Sequence, residues 1–150
     1  MVRKRLLVVE DYQQLRELIA TVLQEVGGYA VETASDGTVA ERLIAEQRFD
    51  LVILDISVPG RMGGQDIASL ARSRLGCAIL FITGRDLALA DCADLMQPQD
   101  RFLRKPFKMD VLLAEVGALL QVDAPKTLNA PKRARVRSSR SKRSPTRVSQ

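Results

Sequence analysis

Several polar residues of this sequence directly follow or end short apolar runs, and together they could do chemistry. Glu10 and Asp11 follow "LLVV", Asp55 follows "LVIL", Thr83 ends "AILFIT", and Lys105 closes "RFLRK". Three carboxylates in one crevice would repel each other. A hard divalent cation such as Mg²⁺, which prefers oxygen ligands, would relieve that repulsion. The acidic residues therefore indicate a Mg²⁺ site.

The same group of side chains is suited to accepting a phosphoryl group. A cation, the Lys105 ammonium and the Thr83 hydroxyl would stabilise the negative charge that spreads over phosphoryl oxygens during transfer. The carboxylate of Asp55 would be the nucleophile, which gives an acyl phosphate. Each residue taken alone has an ordinary alternative: a capping residue, an acidic pair at a helix start, a turn residue or a surface lysine. Their joint occurrence favours the chemistry.

The elements that must position these residues alternate between strand and helix. Apolar residues at helical spacing follow the first strand, and Gly27-Gly28 end that helix. Continuous apolar runs predict strands that are buried on both faces. The last helix is predicted to be lined by Val111, Leu112, Val116, Leu119 and Leu120.

Five strands alternating with five helices predict an α/β fold, a doubly wound five-stranded parallel sheet. The helix after Thr83 is predicted across residues 87–96. Ligands of such sheets bind at the carboxyl ends of the strands, where the candidate residues fall.

Composition excludes several classes of function. The chain contains no histidine, which removes Ser-His-Asp and Cys-His catalysis and a histidine phosphoacceptor. Cys77 and Cys92 form no CxxC pair, so a zinc site lacks ligands, and both cysteines are predicted to be small buried hydrophobes. No apolar window is long enough for a membrane span, and the predicted location is the cytoplasm.

Charge divides the chain into two parts. Residues 125–150 contain nine of the 23 Lys and Arg residues and no acid, which leaves 14 basic and 18 acidic residues in 1–124, a net charge of −4. The predicted organisation is a folded domain over 1–124 and a disordered basic tail over 125–150. Such a tail could bind nucleic acid without sequence preference.

The quoted motifs, with "ITG" and "KPF", resemble the receiver domain of bacterial two-component response regulators over residues 4–121. The resemblance implies a flavodoxin-like (βα)5 receiver with Asp55 as phosphoacceptor. It implies Mg²⁺ held by Glu10, Asp11, Asp55 and the backbone carbonyl of Ser57. The donor would be a phosphohistidine of a sensor histidine kinase or of a histidine phosphotransfer protein.

The resemblance also implies a switch. Thr83 would move onto the phosphoryl group, Lys105 would pair with it before a cis bond to Pro106, and Phe102 would change its exposure. Phe102 is equally compatible with a core position. A downstream protein partner would bind the face formed by the fourth helix, the last strand and the last helix. The loop over residues 58–64 is one residue longer than the commonest form, and Gly63 stands where an acid or Asn is frequent.

These implications predict a stand-alone receiver, similar to chemotaxis regulators, in which no folded output domain follows the tail. It would not be an enzyme beyond assisting its own phosphorylation and dephosphorylation. Two alternatives stay open: a nucleic-acid-associated protein that acts through its basic tail under receiver control, and a pseudo-receiver that is never phosphorylated. The acidic pair, Asp55 and Lys105 argue against the pseudo-receiver.

Overall fold

The structure is a computed structural model of the chain, and it describes residues 2–59, 61–84 and 96–122. These residues form a parallel sheet between helices. The strands are β1 (Arg5–Val9), β2 (Ala30–Ala34), β3 (Leu51–Asp55), β4 (Ala78–Thr83) and β5 (Arg101–Arg104). The helices are α1 (Gln13–Glu25), α2 (Gly37–Glu46), α3 (Gly64–Leu75) and α4 (Met109–Val122). The predicted α/β alternation is confirmed in these residues.

Some predictions fall on parts of the chain that the structure does not describe. The predicted helix across residues 87–96 lies outside the described residues, except for Met96, which is not in a helix. Cys92 and the predicted tail over 125–150 also lie outside them. The last helix of the sequence prediction is α4 in the numbering used here.

The sheet has the strand order β2-β1-β3-β4-β5, and all neighbouring strands are parallel. The chain moves from β1 to β2 on one side and then crosses to β3 on the other side. This reversal opens a crevice at the carboxyl ends of β1 and β3, where such folds bind ligands. Because Val9 is paired with Leu54, the next residues, Glu10 and Asp55, emerge side by side at that crevice.

Alternating side chains of the central strands supply two apolar cores, one on each face of the sheet. Leu7, Val52 and Phe81 pack with α2 and α3 on one face. The other face packs against α1 and α4, and it includes Leu6 and Ile53. All five residues of β3 are buried, as its unbroken apolar run predicts. Cys77 is buried in the first core, which confirms its prediction as a small buried hydrophobe.

The predicted inward face of the last helix is correct except at Val111. Leu112, Val116, Leu119 and Leu120 are buried, whereas Val111 is 40% exposed. Successive helical residues are rotated by about 100°, so Val111 lies on the flank beside the buried stripe that Leu112 begins. The prediction that Val111 lines the core is therefore wrong.

Candidate functional site

Asp55 ends β3 with its carboxylate in the crevice and only 2% of its surface exposed. The backbone N–H of Ser57 donates to Oδ1 over 2.9 Å, and the Ser57 hydroxyl donates to the same oxygen over 2.8 Å. The N–H of Val58 donates to the Asp55 carbonyl at 3.2 Å and closes a turn. These bonds fix the orientation of a carboxylate whose other oxygen, Oδ2, faces Lys105.

Lys105 places its ammonium between two buried carboxylates. Its Nζ lies 2.7 Å from Asp55 Oδ2 and 2.9 Å from Glu10 Oε1. Its backbone N–H donates to the Thr83 carbonyl at 2.8 Å, which joins the residue to the end of β4. The bond from Lys105 to Pro106 is cis, as the resemblance implied. Fifty positions of sequence separate the lysine from the aspartate that it contacts.

Glu10 and Asp11 complete an acidic cluster beside Asp55. One ligand oxygen from each of the three residues lies within 4.8 Å of the others. Glu10 is fully buried, and its Oε2 accepts the Tyr12 backbone N–H at 3.1 Å. Asp11 is exposed at the rim of the crevice. The predicted convergence of the three carboxylates is thus present in the structure.

Burial and neighbouring charge shift the acid–base behaviour of the site in opposite senses. Desolvation raises the pKa of Glu10 above 4.5, and this effect exceeds the lowering by Lys105 and by the Tyr12 N–H. Burial acts to lower the pKa of Lys105, but the hydrogen bonds and charges of Asp55 and Glu10 outweigh it, so this pKa is raised above 10.5. Lys105 is therefore cationic at physiological pH.

The residues at the site fit a magnesium ion. Glu10 Oε1 is buried and is paired with the Lys105 ammonium at 2.9 Å, but among the described residues no other donor reaches this oxygen. A buried carboxylate oxygen without a hydrogen-bond donor lowers the stability of the fold unless a cation or an ordered water molecule interacts with it. Mg²⁺ prefers carboxylate oxygens and usually keeps several water ligands. The exposure of Asp11 leaves room for such waters.

The remaining predicted residues lie near the cluster, but their roles stay predictions. Thr83 is fully buried at the end of β4, one residue beyond Ile82, the register partner of Asp55. Phe102 is partly buried and packs against the core on the α2 and α3 face. This position is compatible both with a core residue and with a switch residue. The role of the Ser57 carbonyl as a metal ligand also stays a prediction.

Sequence reasoning missed two contributors to the site. The hydroxyl of Ser57 contacts Asp55, although the prediction concerned only the Ser57 carbonyl. Arg16 donates from its guanidinium to the backbone carbonyls of Glu10 at 3.0 Å and Asp11 at 3.4 Å. A basic residue one helical turn into α1 was the available signal, but such residues are common on solvated helix faces.

The chain is an α/β protein with a parallel sheet, and an acidic cluster bridged by a lysine lies where the strand order reverses. Comparison with known proteins identifies the family. The family described as "Response regulator receiver domain" matches residues 6–117. The chain therefore belongs to the response regulator receiver domain family. This membership confirms the resemblance that the sequence motifs carried.

Relatives and solved structures agree with this assignment. The "Transcriptional regulatory protein TcrA" of Mycobacterium tuberculosis is 36% identical over 84% of this chain and 51% of its own length. A "Response regulator MprA" of a Mycobacterium species is 39% identical over 81% of this chain and 52% of its own length. The chain thus spans about half the length of the curated relatives it matches.

Two solved structures illustrate the shared fold. The response regulator TrrA of Thermotoga maritima, solved in complex with Mg²⁺ and BeF, is 34% identical, with a TM-score of 0.68 over 78% of this chain and 99% of that one. A receiver protein from Sinorhizobium medicae is 26% identical, with a TM-score of 0.72 over 79% of this chain and 95% of that one. Among the described residues, no helix combines the length and apolar character that a membrane crossing requires.

Proposed function

We propose that this chain is the phosphoacceptor receiver of a two-component phosphorelay. Asp55 would take a phosphoryl group from a phosphohistidine of a sensor histidine kinase or of a histidine phosphotransfer protein. The observation that carries this proposal is the contact of 2.7 Å between the Lys105 ammonium and the Asp55 carboxylate, inside a cluster of three acidic residues. A similar structure solved with Mg²⁺ and BeF supports it.

The transfer forms a bond between an Asp55 carboxylate oxygen and phosphorus while the nitrogen–phosphorus bond of the phosphohistidine breaks. The imidazole, which carries a proton on its other ring nitrogen, leaves as a neutral ring with the electron pair of the broken bond, and Asp55 becomes an acyl phosphate. Lys105 would keep its charge throughout and pair with a phosphoryl oxygen. The hydroxyl of Thr83 would donate to a second phosphoryl oxygen. Burial of Asp55 limits the access of water, which favours retention of the acyl phosphate.

The metal would be held by Glu10, Asp11, Asp55 and the backbone carbonyl of Ser57. Bound Mg²⁺ supplies positive charge that offsets the charge of the transferring phosphoryl group. The chain's own residues set its position: Tyr12 and Arg16 hold the backbone and side chain of the acidic pair, and Ser57 holds Asp55. Catalysis would be limited to assisting phosphorylation and dephosphorylation of Asp55 itself.

Phosphorylation would change partner binding through the face formed by the predicted fourth helix, which lies outside the described residues, together with β5 and the last helix, α4. Thr83 and Phe102 are suited to link that face to the site, because Thr83 is paired with Arg104 and Phe81 with Phe102 in adjacent strands. A movement of the Thr83 side chain toward the phosphoryl group would leave space that Phe102, which is only partly buried, could enter. A protein partner would read the resulting change in exposed surface.

The direct test is intact-mass analysis of the chain after incubation with acetyl phosphate, with and without Mg²⁺, beside Asp55→Asn. The expected result is a Mg²⁺-dependent phosphoryl adduct on the natural chain and none on the variant. An adduct that persists in Asp55→Asn would place the phosphoacceptor elsewhere. Binding of Mg²⁺ without an adduct from acetyl phosphate or from any phosphohistidine donor would favour a pseudo-receiver.

A second candidate function is nucleic-acid association under receiver control. It is favoured by the concentration of nine basic residues and no acids in 125–150, and the related TcrA is called a transcriptional regulatory protein. The tail would neutralise backbone phosphates, so its binding would weaken steeply with salt. The test compares DNA binding by the full chain and by residues 1–124 at about 50 mM and about 200 mM salt, because binding through phosphate contacts weakens strongly over this range. Equal binding by both would contradict it.

A further inference from the structure

The loop that follows Asp55 rests against the first residue of α2. This acceptor loop consists of residues 56–63, of which 56–59 and 61–63 are described. The backbone N–H of Gly37 donates to the Pro59 carbonyl at 3.2 Å. A Cβ built on Gly37 would lie 1.6 Å from the Met62 carbonyl oxygen and 2.8 Å from the Met62 carbonyl carbon. The loop therefore occupies the space that any side chain at position 37 would need.

Gly37 is needed because a side chain would collide with the loop backbone, and not because its backbone adopts a conformation that only glycine allows. Positive φ angles occur at Gly28 and Gly76, whereas Gly37 begins an α-helix. The atoms that a Cβ would meet belong to the loop backbone, so rotation of a side chain cannot relieve the contact. Gly37 is buried, and a substitution there must move the loop or the start of α2.

The start of α2 is held by a side-chain cap, so we expect the loop to move when position 37 gains a side chain. Asp36 caps the helix, and its Oδ1 accepts the Val39 N–H at 2.9 Å. Such a cap contributes about 1 kcal/mol to helix stability. At the other end of the loop, a Cβ on Gly64 would lie 2.3 Å from the Ile56 carbonyl oxygen. The loop is thus held closely at its base by Gly64 and along its outer part by Gly37.

The same loop sets the geometry of the acceptor carboxylate. Two of its bonds hold Asp55: the N–H and the hydroxyl of Ser57 both donate to Oδ1. Val58 is buried and closes the turn onto the Asp55 carbonyl. Pro59 lies two residues and Met62 five residues after Ser57, so a displacement of this part of the loop is expected to shift Ser57 as well.

We propose that Gly37 is a positioning residue for the reaction at Asp55. It touches no reacting atom, and it acts by letting the acceptor loop lie against the start of α2, which places Ser57 beside Asp55. This inference rests on the proposed phosphoacceptor function. It assigns a role in that reaction to a residue 18 positions before the acceptor, on a different element of the fold.

The test compares Gly37→Ala with Gly63→Ala in the full chain. Gly63 lies in the same loop, but a Cβ there meets nothing within 4 Å, and its φ of −82° suits alanine. Three quantities are measured: the Kd for Mg²⁺ by calorimetry, the rate of adduct formation with acetyl phosphate at saturating Mg²⁺, and the Tm. The Kd and the rate of each variant are measured well below its Tm, where the variant is folded.

Gly37→Ala is expected to raise the Kd for Mg²⁺ about 5-fold and to slow adduct formation about 10- to 100-fold, since small misplacements of reacting groups have effects of that order. Gly63→Ala is expected to stay within about 2-fold of the natural chain. A folded Gly37→Ala protein with an unchanged Kd and rate overturns the proposal. Equal losses in both glycine variants overturn it too.

A second variant covers the case in which Gly37→Ala does not fold. Asp36→Ala removes the helix cap without adding a clash, so the support for the loop is loosened, and a loss of about 2- to 3-fold in both quantities is expected. No change in Asp36→Ala then overturns the proposal. If the natural chain binds Mg²⁺ but forms no adduct with acetyl phosphate or with a phosphohistidine donor, the proposed function fails, while the Kd comparison still decides whether Gly37 positions the acceptor loop. If the natural chain binds no Mg²⁺, both the proposed function and the proposed role of Gly37 are contradicted.

Discussion

Lys105 and Glu10 are charged groups held in a crevice where water has limited access. The ammonium contacts two carboxylates, and both Glu10 and Asp55 are almost completely buried. Removing one partner from such a group leaves uncompensated charge, which costs more than the intact pair contributes. The residue-scale predictions follow from this balance between burial and charge.

Replacement of Lys105 by Ala is expected to destabilise the metal-free chain by about 1–3 kcal/mol. The value is below the 3–5 kcal/mol typical of a fully buried pair, because the lysine side chain is 23% exposed. Added Mg²⁺ should restore more stability to this variant than to the natural chain, since the ion takes over neutralisation of the carboxylates. The measurement is urea unfolding with and without Mg²⁺.

Lys108→Ala is the matched control, because Lys108 is exposed on the same segment. Its expected effect is within about 0.5 kcal/mol. If Lys105→Ala is as stable as Lys108→Ala in the absence of Mg²⁺, the ammonium does not stabilise the acidic cluster.

The raised pKa of Glu10 predicts how Mg²⁺ binding depends on pH. Desolvation favours the neutral carboxyl group, so the stabilising effect of its proton is present below 4.5 and is lost as pH rises through the raised pKa. Because Mg²⁺ binds the ionised carboxylate, its affinity should rise over the same range, by up to about tenfold per pH unit. Lys105 keeps its charge throughout, since its pKa is raised above 10.5.

Calorimetric titration of Mg²⁺ between about pH 5 and pH 8 tests this dependence. Glu10→Gln should bind more weakly and with a flatter profile, whereas Glu17→Gln, which changes an exposed residue of α1, should retain the natural profile. Parallel profiles for the natural chain and Glu10→Gln would show that another group controls the dependence.

At the scale of elements, a buried carboxylate outside the acidic cluster joins α3 to the start of β4. Asp100 accepts the N–H of Ile79 at 2.9 Å and the N–H of Gln97 at 2.9 Å, and it also pairs with Arg72. The bonds lie at the opposite end of β4 from Thr83. They connect the turn before β5 to the sheet and are remote from the acidic cluster.

Asp100→Asn is expected to lower the free energy of unfolding by about 2–4 kcal/mol, because an amide donor would replace a charged acceptor in a buried network. The Kd of this variant for Mg²⁺ should be unchanged, because the acidic cluster lies at the other end of the strands. Glu115→Gln removes a more exposed ion pair with Arg101 and should cost at most about 1 kcal/mol. Urea unfolding and Mg²⁺ titration of both variants check this separation. A weaker Mg²⁺ affinity in Asp100→Asn would contradict it.

At the scale of the whole molecule, folding and Mg²⁺ binding are expected to be linked, because the ligands converge only in the folded sheet. At a Mg²⁺ concentration ten times the Kd, the free energy of unfolding should rise by about 1.4 kcal/mol, which corresponds to a Tm increase of about 4–7 °C. Differential scanning calorimetry measures the shift.

The variant Glu10→Gln with Asp11→Asn should lose this increase, since two of the three clustered carboxylates are removed. An equal Tm increase in the double variant would indicate that Mg²⁺ binds elsewhere on the chain. The basic segment 125–150 does not supply carboxylate ligands, because it contains no acidic residue.

The sequence by itself determined the alternation of elements and the place of the site. Unbroken apolar runs such as Leu51 to Leu54 can be buried only between two layers of helices. A parallel sheet brings the carboxyl ends of its strands to one edge, so Glu10, Asp11 and Asp55 had to meet once the strands were recognised. Local pattern and a general rule of topology were sufficient for these features.

Tertiary structure alone decided the contacts made between segments that are distant in sequence. The exposure of Val111, the hydroxyl bond from Ser57 to Asp55, and the close approach of the Met62 carbonyl to Gly37 have no periodic signature. Each depends on differences of a few tenths of an ångström in the distances between packed backbones and side chains. A one-dimensional pattern records which residues are apolar or charged, and it carries no measure of such distances.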